Sequence, residues 1–553
     1  MNRTPFWELE VVGMTCDSCA RHVGEALTSA GARDVEVNWT RGTAVFTAPQ
    51  GILDPIKVAV AASGYEPGQI YERTEPRVQP VSQTDAAGRD DYEWDLVIIG
   101  SGSAAFAAAI KATATGASVL MVERGTPGGT CVNIGCVPSK ALLRAVETFH
   151  SAGHHPFAGV PHLSGRVDLA ALVQQKNALV DTLRQAKYLD LVDHYGFELR
   201  TGLASFIEPH TIAINGQPAT AAKVLIATGA DPAIPPIAGL AEMDYLTSTT
   251  ALNLTEIPGS VAVIGANAIG LELGQLFSQL GSEVTFLDIA ERIAPFEEPE
   301  ISAALTQMLT QEGAVVITNA HITQVTTSGN RYTLTGDLGD LSELSVDHIL
   351  VATGRTPNTA QLNLQAAGIN TDERGFIQTD EHLATSASHI YAAGDVIASP
   401  QFVYVAAYEG ALAATNMFSP TPSSVDYATM PRVTFTSPQI ASVGLTEAQA
   451  RQRHSVKTAI LPMSYVPRAI VNQSTGGLLK LVADSETDEL LGAHMIGDNA
   501  GEVIQAAVYA LLNHMTTKAI ADNFHAYLTM AEALKLAAQA FDKDISTLSC
   551  CAA

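Results

Sequence analysis

Six cysteines, and no more, stand in this chain, and all fall into close pairs: Cys16 with Cys19, Cys131 with Cys136, and Cys550 with Cys551. A stapling disulfide framework would join distant segments. Local pairs point instead to soft-metal binding or to redox chemistry, because thiolates are soft ligands and good nucleophiles. Cys131 and Cys136 lie in "GGTCVNIGCVPSK". Five residues along an ideal helix turn through about 140°. The two thiols therefore meet only if the first turn is irregular, as Gly128, Gly129 and Gly135 permit. No other local cysteine or histidine completes a four-ligand zinc set, so a redox-active dithiol beside a flavin is the favoured reading. Cys16 and Cys19, in "GMTCDSC", occupy a loop running into a helix and suit a two-coordinate metal. Cys550 and Cys551 close the chain in "LSCCAA". Adjacent cysteines can form only a strained disulfide ring, which favours thiols that stay reduced or bridge through metal.

The elements that must position these thiols repeat. "DLVIIGSGSAAFAAAIKATATGASVLMVERG" reads as a buried strand, a glycine turn, an alanine-rich helix and a second strand; "VAVIGANAIGLELGQLFSQLGSEVTFLDIA" repeats the pattern. Glu123 lies 23 residues past Gly100, and Asp288 lies 23 past Gly265. Each unit is followed by an apolar strand ending in a shared tripeptide, "VLIATGA" with Thr228 and Gly229, and "ILVATGR" with Gly354. In the first unit Gly100, Gly102 and Ala105 let the backbone approach a pyrophosphate at a helix N-terminus, and Glu123 can accept from a ribose hydroxyl. The second unit keeps Gly265 and Gly270 but has Asn267 between them. Asp288 favours a free ribose hydroxyl and hence NADH, whereas Arg292 could serve a 2′-phosphate and hence NADPH.

The remaining sequence sets the frame. Residues 1–70 alternate short strands with two helices, as a small ferredoxin-like βαββαβ metal-binding domain would, and 71–93 are polar and proline-containing, a flexible linker. Two dinucleotide-type folds and a further α+β domain follow; the family resemblance set out below implies that they are an FAD-binding domain over 94–255 and 376–427, an NAD(P)-binding domain over 256–375, and a dimerisation domain with the Cys-Cys tail over 428–553. The expected fold class is α/β, with two Rossmann-like domains. An apolar content of 47% with 16% charged residues is that of a globular chain, and the net charge of −26 argues against nucleic acid and anionic membrane surfaces as partners. That charge suits either solubility or a salty medium, where screening weakens self-repulsion. No apolar run reaches membrane-spanning or signal-peptide length, so a cytoplasmic protein is expected.

From Trp94 to its end the chain resembles the pyridine nucleotide-disulfide oxidoreductases, through "GSGSAA", "GGTCVNIGCVPSK" and "HIYAAGDV". The resemblance implies a homodimer that binds FAD and NADPH, with NADH possible. It implies that Gly129, Thr130, Thr228, Gly229, Gly354 and Asp395 join the cofactor-binding set, with Asp395 at the ribitol. It implies that Lys140 and Glu272 form an ion pair near the flavin, and that Cys136 is the cysteine nearer the flavin. Members acting on disulfides carry a histidine five residues before a glutamate; in "HAYLTMAE" that position, counted from Glu532, is Tyr527, and His525 is out of register. An unperturbed tyrosine titrates near pH 10 and is a poor base at neutrality. A substrate that takes electrons without protons is then expected, and a soft metal ion is one. With Tyr527, Tyr188 in "RQAKYLD" and the tail, the chain resembles the branch of that family that reduces Hg(II) to volatile Hg(0). The resemblance implies that Tyr188 and Tyr527 flank the metal, and that Cys550 and Cys551 hand it to Cys131 and Cys136 of the opposite subunit. "GMTCDSC" resembles the heavy-metal-associated domains, so Cys16 and Cys19 are expected to hold Hg(II) received from small thiols. The rivals are a disulfide-relay reductase of the same family, a dihydrolipoamide dehydrogenase fused to a copper-handling domain, and a metal-sequestering protein on a relic flavin fold.

Overall fold

The computed structural model describes residues 6–13, 17–38, 42–73 and 91–547. Cys16, Cys550, Cys551 and most of the expected linker lie outside the described residues. The chain divides into two compact units between residues 88 and 89.

The N-terminal unit has strands β1 (Phe6–Val12), β2 (Arg33–Asn38), β3 (Thr43–Thr47) and β4 (Glu66–Arg73) and helices α1 (Asp17–Ser29) and α2 (Leu53–Ala62), in the order βαββαβ. Its antiparallel sheet runs β2-β3-β1-β4. Period-two alternation puts Trp7, Leu9 and Val11 on one face of β1. Those residues are buried with Val23 and Leu27 of α1 and Ile56 and Val60 of α2, each helix pair spaced i, i+4. The Trp7 indole N–H donates to the Ala48 carbonyl at 2.8 Å, so the one polar atom of this ring has a partner.

The second unit opens with β5 (Trp94–Ile99), α3 (Ser103–Thr113) and β6 (Val119–Glu123), then the short helix α4 (Gly129–Asn133) and the long α5 (Cys136–His154). β5 and β6 are parallel and join strands 198–201, 217–226 and 390–392 in one parallel sheet, with β5 at its centre. Central parallel strands are covered on both faces, which is why Leu96 to Ile99 and Val119 to Val122 are buried without alternation. The alanines of α3 (Ala104, Ala105, Ala108, Ala109, Ala112) let this helix pack closely beneath the helix Val403–Phe418.

The repeat predicted from Val261 is β7 (Ser260–Ile264), α6 (Ala268–Gln279) and β8 (Glu283–Leu287), in a parallel sheet with strands 315–317 and 348–351. Beyond residue 430 a five-stranded antiparallel sheet is covered by helices Ala500–Leu512 and Glu532–Gln539. The fold class is therefore the one expected: two Rossmann-like units and an α+β C-terminal domain, preceded by a small ferredoxin-like domain. No helix among the described residues is long and apolar enough to cross a membrane.

Candidate active site

The first nucleotide turn is shaped by close approach. Gly100 has φ +110°, and a Cβ there would lie 2.2 Å from the Ala227 carbonyl oxygen, in the loop that carries Thr228 and Gly229. Gly102 is the N-cap of α3, so the free N–H groups of that helix open onto the turn. Glu123, at the end of β6, accepts from the Ser101 hydroxyl at 2.6 Å and from the Gly125 N–H at 2.6 Å. Asp395 lies 3.2 Å from the Arg355 guanidinium, yet burial raises its pKa. Next to it, the Gly394 N–H donates to the fully buried Glu409 at 2.6 Å. FAD is the group this arrangement implies, and the residues fit it: side-chain-free backbone at the turn, a helix N-terminus for the pyrophosphate, a fixed acceptor at Glu123 for the ribose, and a partly buried carboxyl at Asp395 suited to a donating hydroxyl.

The dithiol is built onto that turn. Gly129 has φ +67°, and a Cβ there would lie 2.5 Å from the Gly102 Cα, so the first residue of α4 crosses directly over the nucleotide turn. Thr130 follows it, exposed. α4 ends at Asn133, Gly135 takes a non-helical conformation, and α5 starts afresh at Cys136. This is the irregular turn that the spacing demanded, and it lets the Cys131 and Cys136 thiols hydrogen-bond to each other. The bond from Cys131, opposed by burial and helped by Lys140 and by the Cys136 N–H at the start of α5, brings Cys136 down to about 7. The same bond and burial push the Cys131 thiol up. One proton thus sits between the pair, with the charge on Cys136.

Lys140, one turn along α5, pairs with Glu272 of α6 at 2.7 Å, and its ammonium lies 4.6 Å from the centre of the Phe435 ring. Glu272 is buried, and its second oxygen accepts the Phe435 N–H at 2.9 Å. The predicted ion pair thereby ties helices from both nucleotide units to the C-terminal domain. Tyr188 stands in a π-helical turn, Gln185–Leu189, edge-on to Phe106 with ring centres 4.9 Å apart. Its hydroxyl is hydrogen-bonded to Ser103, burial raises its pKa, and both Cys131 and Cys136 act on it electrostatically. Tyr527 is instead 62% exposed, between helices Thr517–Asp522 and Glu532–Gln539. Glu532 is buried, while burial lowers the pKa of His525, whose Nδ1 lies 3.4 Å from the Asn523 carbonyl.

The second nucleotide turn repeats the first. A Cβ on Gly265 would lie 2.5 Å from the Ala352 carbonyl oxygen, in the strand end that leads to Gly354, and one on Gly270 would lie 1.9 Å from the Gly265 carbonyl oxygen. Asn267, where the pattern has a middle glycine, is the N-cap of α6 with extended backbone, a conformation open to any residue. Asp288 accepts from the Ala266 N–H at 2.6 Å and the Ala290 N–H at 2.8 Å. Arg292 donates instead to the Pro295 and Glu297 carbonyls, at 2.8 and 3.0 Å. A cavity of about 590 Å³ opens beside it, lined also by Phe296, Phe402, Met430 and Arg432.

Sequence reasoning missed the residues that fasten the redox loop. Asn133 donates to the Pro127 and Gly129 carbonyls at 3.0 and 2.9 Å and accepts from Arg184 at 3.0 Å. Its place between the two cysteines was the available signal. Tyr404, raised to about 12 by burial despite Arg432, also feels Cys136. In the N-terminal unit Cys19 is in the first turn of α1, partly buried against the core. No group of three or more histidine, cysteine or acidic residues among those described could hold a metal.

Residues 94–410 match the family profile described as pyridine nucleotide-disulphide oxidoreductase, 430–538 its dimerisation domain, and 8–65 the heavy-metal-associated domain. The chain is 49% identical over 548 residues to a mercuric reductase of Staphylococcus aureus, covering 99% of both chains. It is 48% identical over 470 residues to one of Streptomyces lividans, covering 83% of this chain and 98% of that one. Among solved structures, the Cu(II) complex of the HOCl-induced flavoprotein disulfide reductase RclA from Escherichia coli superposes with a TM-score of 0.74. It is 30% identical, covering 81% of this chain and 99% of that chain.

Proposed function

The chain belongs to the pyridine nucleotide-disulphide oxidoreductase family, and from that premise we propose that it reduces Hg(II) to Hg(0) at Cys131 and Cys136. It is a flavoprotein enzyme that uses FAD and NAD(P)H. FAD, when bound, supplies the electron pair drawn from NAD(P)H. Gly100, Gly102, Ala105, Glu123, Gly129, Thr130, Thr228, Gly229 and Asp395 would hold it, and Gly265, Gly270, Asp288 and Gly354 would hold the dinucleotide.

The thiols do the metal chemistry. Hg(II) arrives as a thiolate complex, and the Cys136 thiolate displaces one ligand. Cys131 then displaces the second and passes its proton to that departing thiolate, so two Hg–S bonds replace two others and no free ion is released. Addition of two electrons leaves a neutral atom with no comparable affinity for thiolate. Both Hg–S bonds break, the two sulfurs keep their electron pairs, and Hg(0) departs. No proton is needed on the product, which fits a site with Tyr527 where an acid–base histidine would stand. Lys140 supports the Cys136 charge, Glu272 orients Lys140, and Tyr188 flanks the metal.

The match of residues 430–538 to a dimerisation domain makes the protein a homodimer. In that dimer Cys550 and Cys551 pass Hg(II) to the Cys131–Cys136 pair of the opposite subunit, and Tyr527 completes the site. Cys16 and Cys19 collect the metal from small thiols of the cytoplasm, and tethering raises its local concentration.

The observation that carries this reading is the hydrogen-bonded thiol pair with one member lowered to about 7. Replacing both Cys131 and Cys136 with alanine should abolish Hg(II)-dependent NAD(P)H oxidation and trapped mercury vapour while flavin content is kept. Undiminished vapour from that variant would sink the proposal.

A further inference from the structure

We propose that this chain selects NADH over NADPH, and that Asp288 makes the choice. This inference rests on the nucleotide assignment above and refines it.

Asp288 stands at the end of β8, where the adenosine ribose lies in a unit of this kind. Its two oxygens are fixed by the Ala266 and Ala290 N–H groups. Each retains a further acceptor direction, so the carboxylate is held ready for donors and offers none itself. A ribose with free hydroxyls supplies donors. A 2′-phosphate supplies acceptors and close to two negative charges, and would face this carboxylate with Glu291 also nearby.

The loop that follows Asp288 supplies one cation, and it is already engaged. In the stretch "DIAERIAPFEE", Asp288 to Glu298, the only basic residue is Arg292. Its guanidinium closes its own loop on the Pro295 and Glu297 carbonyls, and its other terminal nitrogen lies 3.9 Å from Glu291. Ile289, which directly follows Asp288, is 72% exposed and uncharged.

The internal repeat supports the same conclusion independently. Glu123 accepts from Ser101, one residue past Gly100, and from Gly125, two residues past itself. Asp288 accepts from Ala266, one residue past Gly265, and from Ala290, two residues past itself. The donors occupy matching positions, a side-chain hydroxyl at Ser101 in the first unit and a backbone N–H at Ala266 in the second, so the second site repeats the acceptor placement of one suited to FAD, whose adenosine ribose carries no 2′-phosphate.

The test is direct binding to the FAD-loaded dimer, measured by calorimetry with ADP-ribose and with its 2′-phosphorylated form. ADP-ribose should bind at least about tenfold more tightly. Ile289→Arg, which leaves the Asp288 clamp in place, should narrow that ratio, and Asp288→Ala should narrow or reverse it. Equal or tighter binding of the 2′-phosphorylated form by the unaltered protein overturns the inference alone. An unmoved ratio in both variants does the same. If neither nucleotide binds, the inference falls together with the nucleotide assignment.

Discussion

A thiolate at Cys136 depends on its immediate company: the Cys131 thiol, the helix start it occupies, and the Lys140 ammonium one turn on. Burial works against the charge, so losing one support should be felt. Lys140→Met removes a cation and leaves buried Glu272 without its partner; both changes raise the Cys136 pKa from about 7 toward the ordinary thiol value of about 8.5. Since only the thiolate reacts, alkylation by iodoacetamide at pH 7 should slow by roughly threefold to tenfold, and its pH profile should move upward. An unmoved profile would show that Lys140 does not support the thiolate. Cys131, Cys136, Glu123 and Asp288 were legible in the sequence, because each has a chemically distinctive type at a fixed distance from a glycine turn. Asn133, Arg184 and Phe435 were not. Asn133 offered only its place between the cysteines, and the contacts that tie Arg184 to it and Phe435 to Glu272 join residues 51 and 163 apart, which no local pattern announces.

Among the elements, the break between α4 and α5 matters most, since it turns a spacing unsuited to one helix face into a contact. The crossing of Gly129 over Gly102 fixes where that break lies relative to the nucleotide. Gly129→Ala would set a Cβ 2.5 Å from the Gly102 Cα at a φ of +67°, where L-residues are strained. The purified variant should carry markedly less flavin per chain, read from the ratio of 450 nm to 280 nm absorbance. Full occupancy would show that the loop can give way. The two strand–turn–helix–strand units were readable because their apolar strands and glycines are local signals. The π-helical turn that carries Tyr188 was not, because one extra residue in a helix is decided by what packs against it. Strand β4 was expected from the βαββαβ class alone. Its Pro67 and Gly68 obscure any alternation, and it forms an edge of its sheet, where such residues are tolerated.

For the second unit as a whole, cohesion between the nucleotide half and the C-terminal sheet rests partly on a buried charge cluster. Lys480, 1% exposed, reaches Glu298 at 3.0 Å, Glu300 at 2.9 Å and Glu447 at 2.8 Å. Burial opposes its charge, but the three carboxylates more than offset that and raise its pKa. Lys480→Met leaves Glu298 buried and uncompensated, which should cost about 3–5 kcal/mol and lower the midpoint of thermal unfolding followed by circular dichroism. Adding Glu298→Gln should recover part of the loss. A midpoint that does not move would show the cluster to be neutral. In the sequence this lysine sits inside the apolar strand "GLLKLVA". Its misfit with that strand was the one available hint, and its three partners could not be read from it.

The single proton held between Cys131 and Cys136 bears on the acidity of the surroundings. Above about pH 7 the pair already carries one negative charge, so capturing a dication expels one hydrogen ion. Below that point it must expel two, and the avidity for an ion that arrives bare then falls roughly a hundredfold rather than tenfold for each further unit of acidification; exchange from a small-thiol complex is spared, because the departing thiolates take those protons up.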